Sequence, residues 1–171
     1  MKKISLIIIC LVALASCKKS GVDLFVGDYS FKTSGEISIM AQAVIDSSNI
    51  IIPAEMNVSL SNDIGQLNIS ASDQKNDEVI VVLNYLNGDV VVTKGTCDGK
   101  TIELHEFQRN TLPISINTFL TSSSTYITVG ATGQMYDDMI IFDMTYQGRA
   151  TIGSVTYKIQ DKDIKMVAYR N

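Results

Sequence analysis

The sequence predicts an all-β fold, an antiparallel up-and-down β-barrel, with a β-sandwich as the alternative. Apolar and polar residues alternate with a period of two over most of the chain, which is typical of strands with one buried face. Asn-Gly and Asp-Gly pairs separate β-branched runs and supply the positive φ angles of two-residue hairpin turns. After residue 16, no window of eleven or more residues carries a helical stripe of apolar side chains.

The first third of the chain contains four strand candidates. A strand opens at Val26-Gly27-Asp28-Tyr29, and residues 36–45, 55–61 and 66–72 each alternate between apolar and polar side chains. The stretch 61–65 is rich in turn residues. It therefore predicts that the last two of these strands pair as a hairpin.

The middle of the chain predicts a three-stranded meander. Residues 78–86, 89–97 and 100–107 are the strands, and Asn87-Gly88 and Asp98-Gly99 are the turns between them.

The last third continues the same pattern beyond a loop at 108–113. Turns are expected at 135–138 and 160–162, and a bend or bulge between Gly148 and Gly153. So many short consecutive strands favour a barrel, because closure removes the exposed edges. The strand candidates here are 114–119, 125–134, 139–147, 152–159 and 163–169.

The N-terminus has the plan of a secretion signal. Lys2 and Lys3 precede an apolar run that is too short to span a bilayer, and Leu14-Ala15-Ser16-Cys17 follows. This segment resembles the lipobox of bacterial lipoproteins, in which the cysteine is lipidated and the chain is cut before it. The resemblance implies a signal peptide at 1–16, a lipidated tether at 17–24 and a barrel domain at 25–171. Cys17 is the expected lipid-attachment residue. The periplasmic face of the outer membrane is the expected location, ahead of the cell surface.

Charge and cysteine content narrow the function classes. Without Lys2 and Lys3 the chain has 12 basic and 18 acidic residues, a net charge of −6. No basic cluster is present, so nucleic acid is not an expected partner. Cys10 leaves with the signal and Cys17 is lipidated, so Cys97 has no internal partner. We expect Cys97 to be a small buried side chain.

A wider resemblance follows from these parts together. A lipobox, a short tether, a Gly27-x-Tyr29 strand opening and a meander of hairpins resemble the lipocalin-like (calycin-like) lipoproteins of Bacteroidetes. Tyr29 takes the place of the tryptophan usual in lipocalins. The resemblance implies that Arg170, at the end of the barrel, packs over Tyr29.

Few residues suggest catalysis or metal binding. His105 is the single histidine, and in a regular strand it shares a face with Glu103 and Phe107. His105 and Glu103 are potential metal ligands, but the sequence offers no third ligand beside them. Asp137-Asp138 and Asp161-Lys162-Asp163 are typical of turns. No catalytic or phosphate-loop motif is present, so neither an enzyme nor a cofactor or metal is expected.

Two functions remain. The first is capture of a small apolar or amphipathic ligand inside the barrel, lined by Ala41, Ala43, Val58, Ile69 and Ala71. The second is a structural or protein-interaction module that uses an exposed apolar patch, for which tyrosines are available. An open cavity favours the first function and a filled interior favours the second. The tyrosines in question are Tyr126, Tyr136, Tyr146, Tyr157 and Tyr169.

Overall fold

The computed structural model describes residues 21–41, 55–60, 63–111, 125–152 and 155–171. These ranges contain one short helix, α1 (Val22–Phe25), and nine strands. The strands are β1 (Gly27–Ala41), β2 (Glu55–Ser59), β3 (Asp63–Ala71), β4 (Glu78–Tyr85), β5 (Val90–Asp98), β6 (Thr101–Arg109), β7 (Thr125–Tyr136), β8 (Met139–Ile152) and β9 (Val155–Arg170).

The nine strands form one antiparallel sheet that closes into a ring. Its order is β2-β1-β3-β4-β5-β6-β7-β8-β9, and β9 pairs back onto β1. β9 pairs with one edge of β1 along most of its length. On the other edge of β1, β2 pairs with residues 36–40 and β3 pairs with residues 27–33. The ring therefore has eight strand positions. The predicted all-β antiparallel barrel is confirmed.

The predicted hairpin between 55–61 and 66–72 is wrong. The corresponding strands β2 and β3 are both antiparallel to β1 and follow each other along its edge. They point in the same direction, so no tight turn can pair them.

β9 is one strand where the sequence predicted two strands and a turn at 160–162. That turn is a β-bulge. Ser34 pairs with Lys165, and two residues later Glu36 pairs with Lys162. Asp163 takes a positive φ of 45° in the bulge. Opposite it, a Cβ on Gly35 would lie 2.7 Å from the Asp163 carbonyl oxygen, so glycine is needed there.

Other strand bounds also move. β1 joins the strand that opens at Val26 and the strand predicted from residue 36 into one, and β8 runs past Gly148 to Ile152. The predicted strand 114–119 lies outside the described residues. The meander β4-β5-β6 is confirmed, with Gly88 and Gly99 at positive φ, and Asp137-Asp138 forms the tip of the β7–β8 hairpin.

The inside of the barrel is filled with side chains at the levels the structure describes. The buried apolar side chains on the inner faces of the strands are at most 6% exposed. Glycines make room for rings: a Cβ on Gly133 would lie 2.6 Å from Phe142. An eight-stranded barrel is just wide enough to be packed in this way. At these levels the interior is filled and is not the open cavity that capture of a ligand inside the barrel requires.

α1 covers one end of the barrel, with Phe25 fully buried. Val22–Leu24, which the sequence assigns to the tether, belong to α1, and Val22 and Leu24 pack against the core. Among the described residues, no helix has the length and apolar character needed to cross a membrane.

Candidate functional site

The end of the barrel under α1 is closed by Arg170. Its guanidinium donates hydrogen bonds to the carbonyl oxygens of Val26 (3.0 Å) and Leu24 (2.7 Å) and to the Tyr29 hydroxyl (2.7 Å). Its Cζ atom lies 5.0 Å from the centre of the Tyr29 ring. Tyr29 in turn donates to the carbonyl of Phe25. The expected packing of Arg170 over Tyr29 is thus present, while membership of the lipocalin-like family stays a prediction.

A buried ion pair lies inside the barrel near its opposite end. Arg109, the last residue of β6, donates from Nη1 and Nη2 to both carboxylate oxygens of Asp63, the first residue of β3, at 2.8 and 3.0 Å. The two side chains are 0% and 3% exposed. The Arg109 guanidinium also stacks 3.7 Å from the centre of the Tyr85 ring. Such a cation–π contact is strong when both groups are desolvated.

The Tyr85 ring is held in place across three strands. Phe31, Gly65 and Tyr85 lie in one row of β1, β3 and β4. A Cβ on Gly65 would lie 2.8 Å from the Phe31 ring, and its absence lets the Phe31 and Tyr85 rings meet edge to face at 5.2 Å.

Four buried polar atoms around this pair have no hydrogen-bond partner among the described residues. They are the hydroxyl oxygens of Thr33, Tyr85 and Tyr146 and the Nε atom of Arg109. Burial raises the pKa of both tyrosines well above the usual range, so both stay protonated. Burial alone would lower the pKa of Arg109, but the hydrogen bonds and the negative charge of the Asp63 carboxylate outweigh it, so Arg109 stays charged.

Sequence reasoning missed this cluster. The sequence predicts a turn at Asp63 and a loop at Arg109, and the two residues are 46 positions apart. The inward parity of Leu67 and Ile69, extended backwards along β3, was the one signal that pointed to Asp63.

The outer face of β4 and β5 carries an apolar strip, defined here as Ile80, Leu86, Val90 and Val92. Their exposed fractions are 36%, 77%, 62% and 67%. Val92 pairs directly with the half-buried Val82. Next to Leu86, a surface cleft of about 550 Å³ is lined by Ser30, Phe31, Ile64, Gly65, Gln66, Asn84, Tyr85 and Leu86.

The strands beside the strip expose polar side chains. On one side β6 exposes Glu103 and Glu106, of which Glu103 pairs with Thr96, beyond Lys94 rather than next to Val90 or Val92. On the other side β3 exposes the uncharged Gln66, Asn68 and Ser70. Lys94, at the foot of the strip, is neutralised by Glu78 at 3.0 Å, and its hydrogen bond lowers the pKa of Glu78.

The sequence placed His105, Glu103 and Phe107 on one face, and this is wrong. A bulge between Leu104 and Phe107 shifts the register of β6 against β7, so Phe107 turns into the core while Glu103 and His105 stay exposed. Within the described ranges, no group of three potential metal ligands comes together.

The other residues singled out by the sequence are partly buried inside the barrel and partly exposed on its surface. Cys97 is free and buried as predicted, and burial, with Asp77 adding to it, raises the pKa of its thiol to about 11. Of the expected cavity lining, Ile69 is buried and Ala71 exposed; the side chains of Ala41 and Val58, and all of Ala43 and Cys17, lie outside the described residues. Tyr126, Tyr136 and Tyr169 are exposed, Tyr157 is partly buried and Tyr146 is inside.

Comparison with known proteins gives no relative for this chain. No protein-family model, no curated protein and no solved structure matches it.

Proposed function

We propose that this chain is a non-enzymatic interaction module, tethered to the outer membrane through lipid on Cys17, which binds a protein partner with the apolar strip on β4 and β5. One observation carries the proposal: three large apolar side chains are more than 60% exposed on a barrel whose described interior is already filled. Contiguous exposed apolar surface of this kind marks interaction sites in soluble domains.

The surroundings of the strip indicate the chemistry of the partner. The strip lies within a closed sheet, where β4 is paired on both sides by β3 and β5, so a partner strand cannot add to it. Binding must come from side-chain packing. Because the chain from Gly21 onward has 18 acidic and 10 basic residues, and β6 beside the strip exposes Glu106, we infer a partner segment that is apolar in its centre and carries lysine or arginine at its margin.

The charge of the chain disfavours two other occupants. From Gly21 onward it has 10 basic and 18 acidic residues, a net charge of −8. Two copies and an anionic bilayer would both be repelled by a domain of this charge.

A variant with Leu86→Ser, Val90→Ser and Val92→Ser tests the strip. The probe is an amphipathic peptide of leucine and lysine, compared with one of leucine and glutamate. We expect the lysine peptide to bind, the glutamate peptide not to bind, and the triple variant to weaken binding at least about tenfold, equivalent to about 1.4 kcal/mol. The matched control, Tyr136→Ser with Tyr169→Ser, removes exposed aromatic surface elsewhere and should bind as the unchanged protein does.

Three results would contradict the proposal. They are equal binding by the triple variant, equal binding of the glutamate peptide, and concentration-dependent dimerisation that the triple variant loses. The last would assign the strip to a second copy.

The tether has its own test. Cys17→Ala should release the protein from the membrane fraction, because stable anchoring needs the acyl chains. Retention of that variant in membranes would contradict lipidation at Cys17.

The unpartnered atoms around Asp63 and Arg109 favour a second candidate function, binding of a small amphipathic ligand. Because these atoms are buried in a filled interior, the polar group of such a ligand must displace side chains to reach them. Buried polar atoms without partners require an explanation, and a ligand that accepts their hydrogen bonds is one. Native mass spectrometry of gently purified protein should then show a bound small molecule, which Tyr146→Phe would weaken. Protein that carries none would count against this candidate.

A further inference from the structure

A second surface lies half-way round the barrel from the apolar strip, on the outer face of β8 and β9. Arg149 is directly opposite Lys158, and in the next outward-facing pair Gln147 is opposite Gln160. Directly opposed residues of an antiparallel pair share a face, with Cβ atoms about 4.5–5.5 Å apart. These four exposed side chains line a cleft of about 710 Å³, together with Tyr146, Gly148, Ile159 and Asp161.

The opposed cations are unfavourable on their own. Like charges directly across a strand pair destabilise a sheet. Neither Arg149 nor Lys158 forms an ion pair with a carboxylate among the described residues, whereas Lys165, on the same face of the same two strands, is 3.4 Å from Asp143. Asp161 is the one carboxylate among the residues that line the cleft, and it is not within ion-pair distance of either cation.

We propose that Arg149 and Lys158 form a binding site for a phosphoryl group. A dianionic phosphate can accept hydrogen bonds from both cations at once and removes the repulsion between them, whereas a single carboxylate is matched by one arginine. The side-chain amides of Gln147 and Gln160 supply further donors beside the cations. Tyr126, the β7 residue opposite Arg149, is 75% exposed and offers an aromatic face to the rest of a phosphorylated small molecule.

The backbone fixes the position of the pair. A Cβ on Gly148, which has a φ of 152°, would clash with the carbonyl oxygen of Tyr126. Glycine at this position therefore lets β7 and β8 approach closely, next to Arg149. The site does not depend on the apolar strip and would survive failure of the function proposed above.

Binding of inorganic phosphate to the purified full chain at low ionic strength tests the proposal by calorimetry. We expect saturable binding with a dissociation constant on the order of 1 mM. Arg149→Gln with Lys158→Gln should weaken it at least about tenfold, while the control Lys165→Gln, which also removes one cation from this face, should change it less than about twofold. Added sodium chloride should weaken binding.

The melting temperature of the single variant Lys158→Gln gives a second test of the site. Without phosphate, Lys158→Gln should raise the melting temperature because the repulsion is relieved. With phosphate, the melting temperature of the unchanged protein should rise and that of Lys158→Gln should not.

Vesicles of phosphatidylcholine with and without phosphatidic acid distinguish the source of the group. Binding that needs both phosphatidic acid and the two cations assigns a lipid headgroup, and phosphate binding without vesicle binding assigns a soluble phosphorylated molecule. The proposal is overturned if binding is not saturable at a phosphate concentration ten times the expected dissociation constant. It is also overturned if the double variant binds phosphate as well as the unchanged protein does.

Discussion

At the scale of single residues, the substitution of tyrosine by phenylalanine should change the stability of the fold in opposite directions at two buried positions, Tyr85 and Tyr29. Tyr85 has a hydroxyl without a described partner, whereas the Tyr29 hydroxyl donates to Phe25 and accepts from Arg170. Tyr85→Phe should stabilise the fold by about 1 kcal/mol, since it removes an unpaired polar group and keeps the ring over Arg109. Tyr29→Phe should destabilise it by about 1–3 kcal/mol, because it leaves a charged donor with one partner fewer.

Chemical denaturation of both variants checks this pair, since each is a control for the other. Equal losses of stability would mean that the Tyr85 hydroxyl has a partner in solution and that the cluster around Arg109 is satisfied.

The Cys97 thiol predicts a dependence of stability on alkaline pH. Its pKa is raised from 9.0 to about 11 in the folded chain, chiefly by burial. Between these two values the unfolded chain loses the proton and the folded chain keeps it, so the contribution is intact below pH 9 and is lost as the pH rises towards 11. Cys97→Ala should flatten the fall of unfolding free energy over this range. An unchanged slope in that variant would contradict the raised pKa.

The sequence placed Cys97 correctly and did not find the Asp63–Arg109 pair, for a physical reason. Cys97 is a small side chain at an inward position of an alternating strand, so the local pattern is enough to predict its burial. An ion pair inside a barrel depends on which distant strand ends meet, and no local pattern carries that information.

At the scale of strands, bulges explain where the predicted elements differ from the observed ones. One extra residue reverses the inward and outward parity of everything beyond it. In β9 the inward side chains are Ile164, Met166 and Ala168 on one side of the bulge and Ile159 on the other. Such a break in alternation resembles two strands and a turn. In β6 the same effect turned Phe107 inward.

Gly35 opposite the β9 bulge predicts a selective effect of a single methyl group. At a φ of 131°, alanine is strained, and its Cβ would contact the backbone of Asp163 and Ile164. Gly35→Ala should cost about 1–3 kcal/mol of unfolding free energy. The control is Gly130→Ala in β7, whose Cβ would meet mainly the side-chain oxygen of Thr145, a group that can rotate away. If denaturation shows equal losses for the two variants, the bulge does not require glycine at position 35.

At the scale of the whole molecule, hairpin signals predict the order of strands from β4 to β6 but not the position of β2. The ring itself is predicted only from the need to remove exposed sheet edges. Consecutive turns specify neighbours along the chain, which is why the meander from β4 to β6 was predicted with its turns. Closure pairs Tyr29 with Arg170, 141 residues apart, and β2 and β3 share one edge of β1. Neither arrangement has a local signature.

Arg170 links the two ends of the chain and should control how firmly α1 holds to the barrel. Its three hydrogen bonds fasten the carbonyls of Leu24 and Val26 and the hydroxyl of Tyr29. Arg170→Ala should lower the unfolding free energy by about 1–3 kcal/mol, since it leaves two partly buried carbonyl acceptors and the Tyr29 hydroxyl without their charged donor. It should also speed hydrogen exchange at the amides of Leu24 and Val26 well beyond the change elsewhere in the barrel. Lys165→Ala, which breaks a largely exposed ion pair on the same strand, should leave these amides unchanged. Uniform acceleration of exchange in Arg170→Ala would show instead that α1 opens only when the whole barrel unfolds.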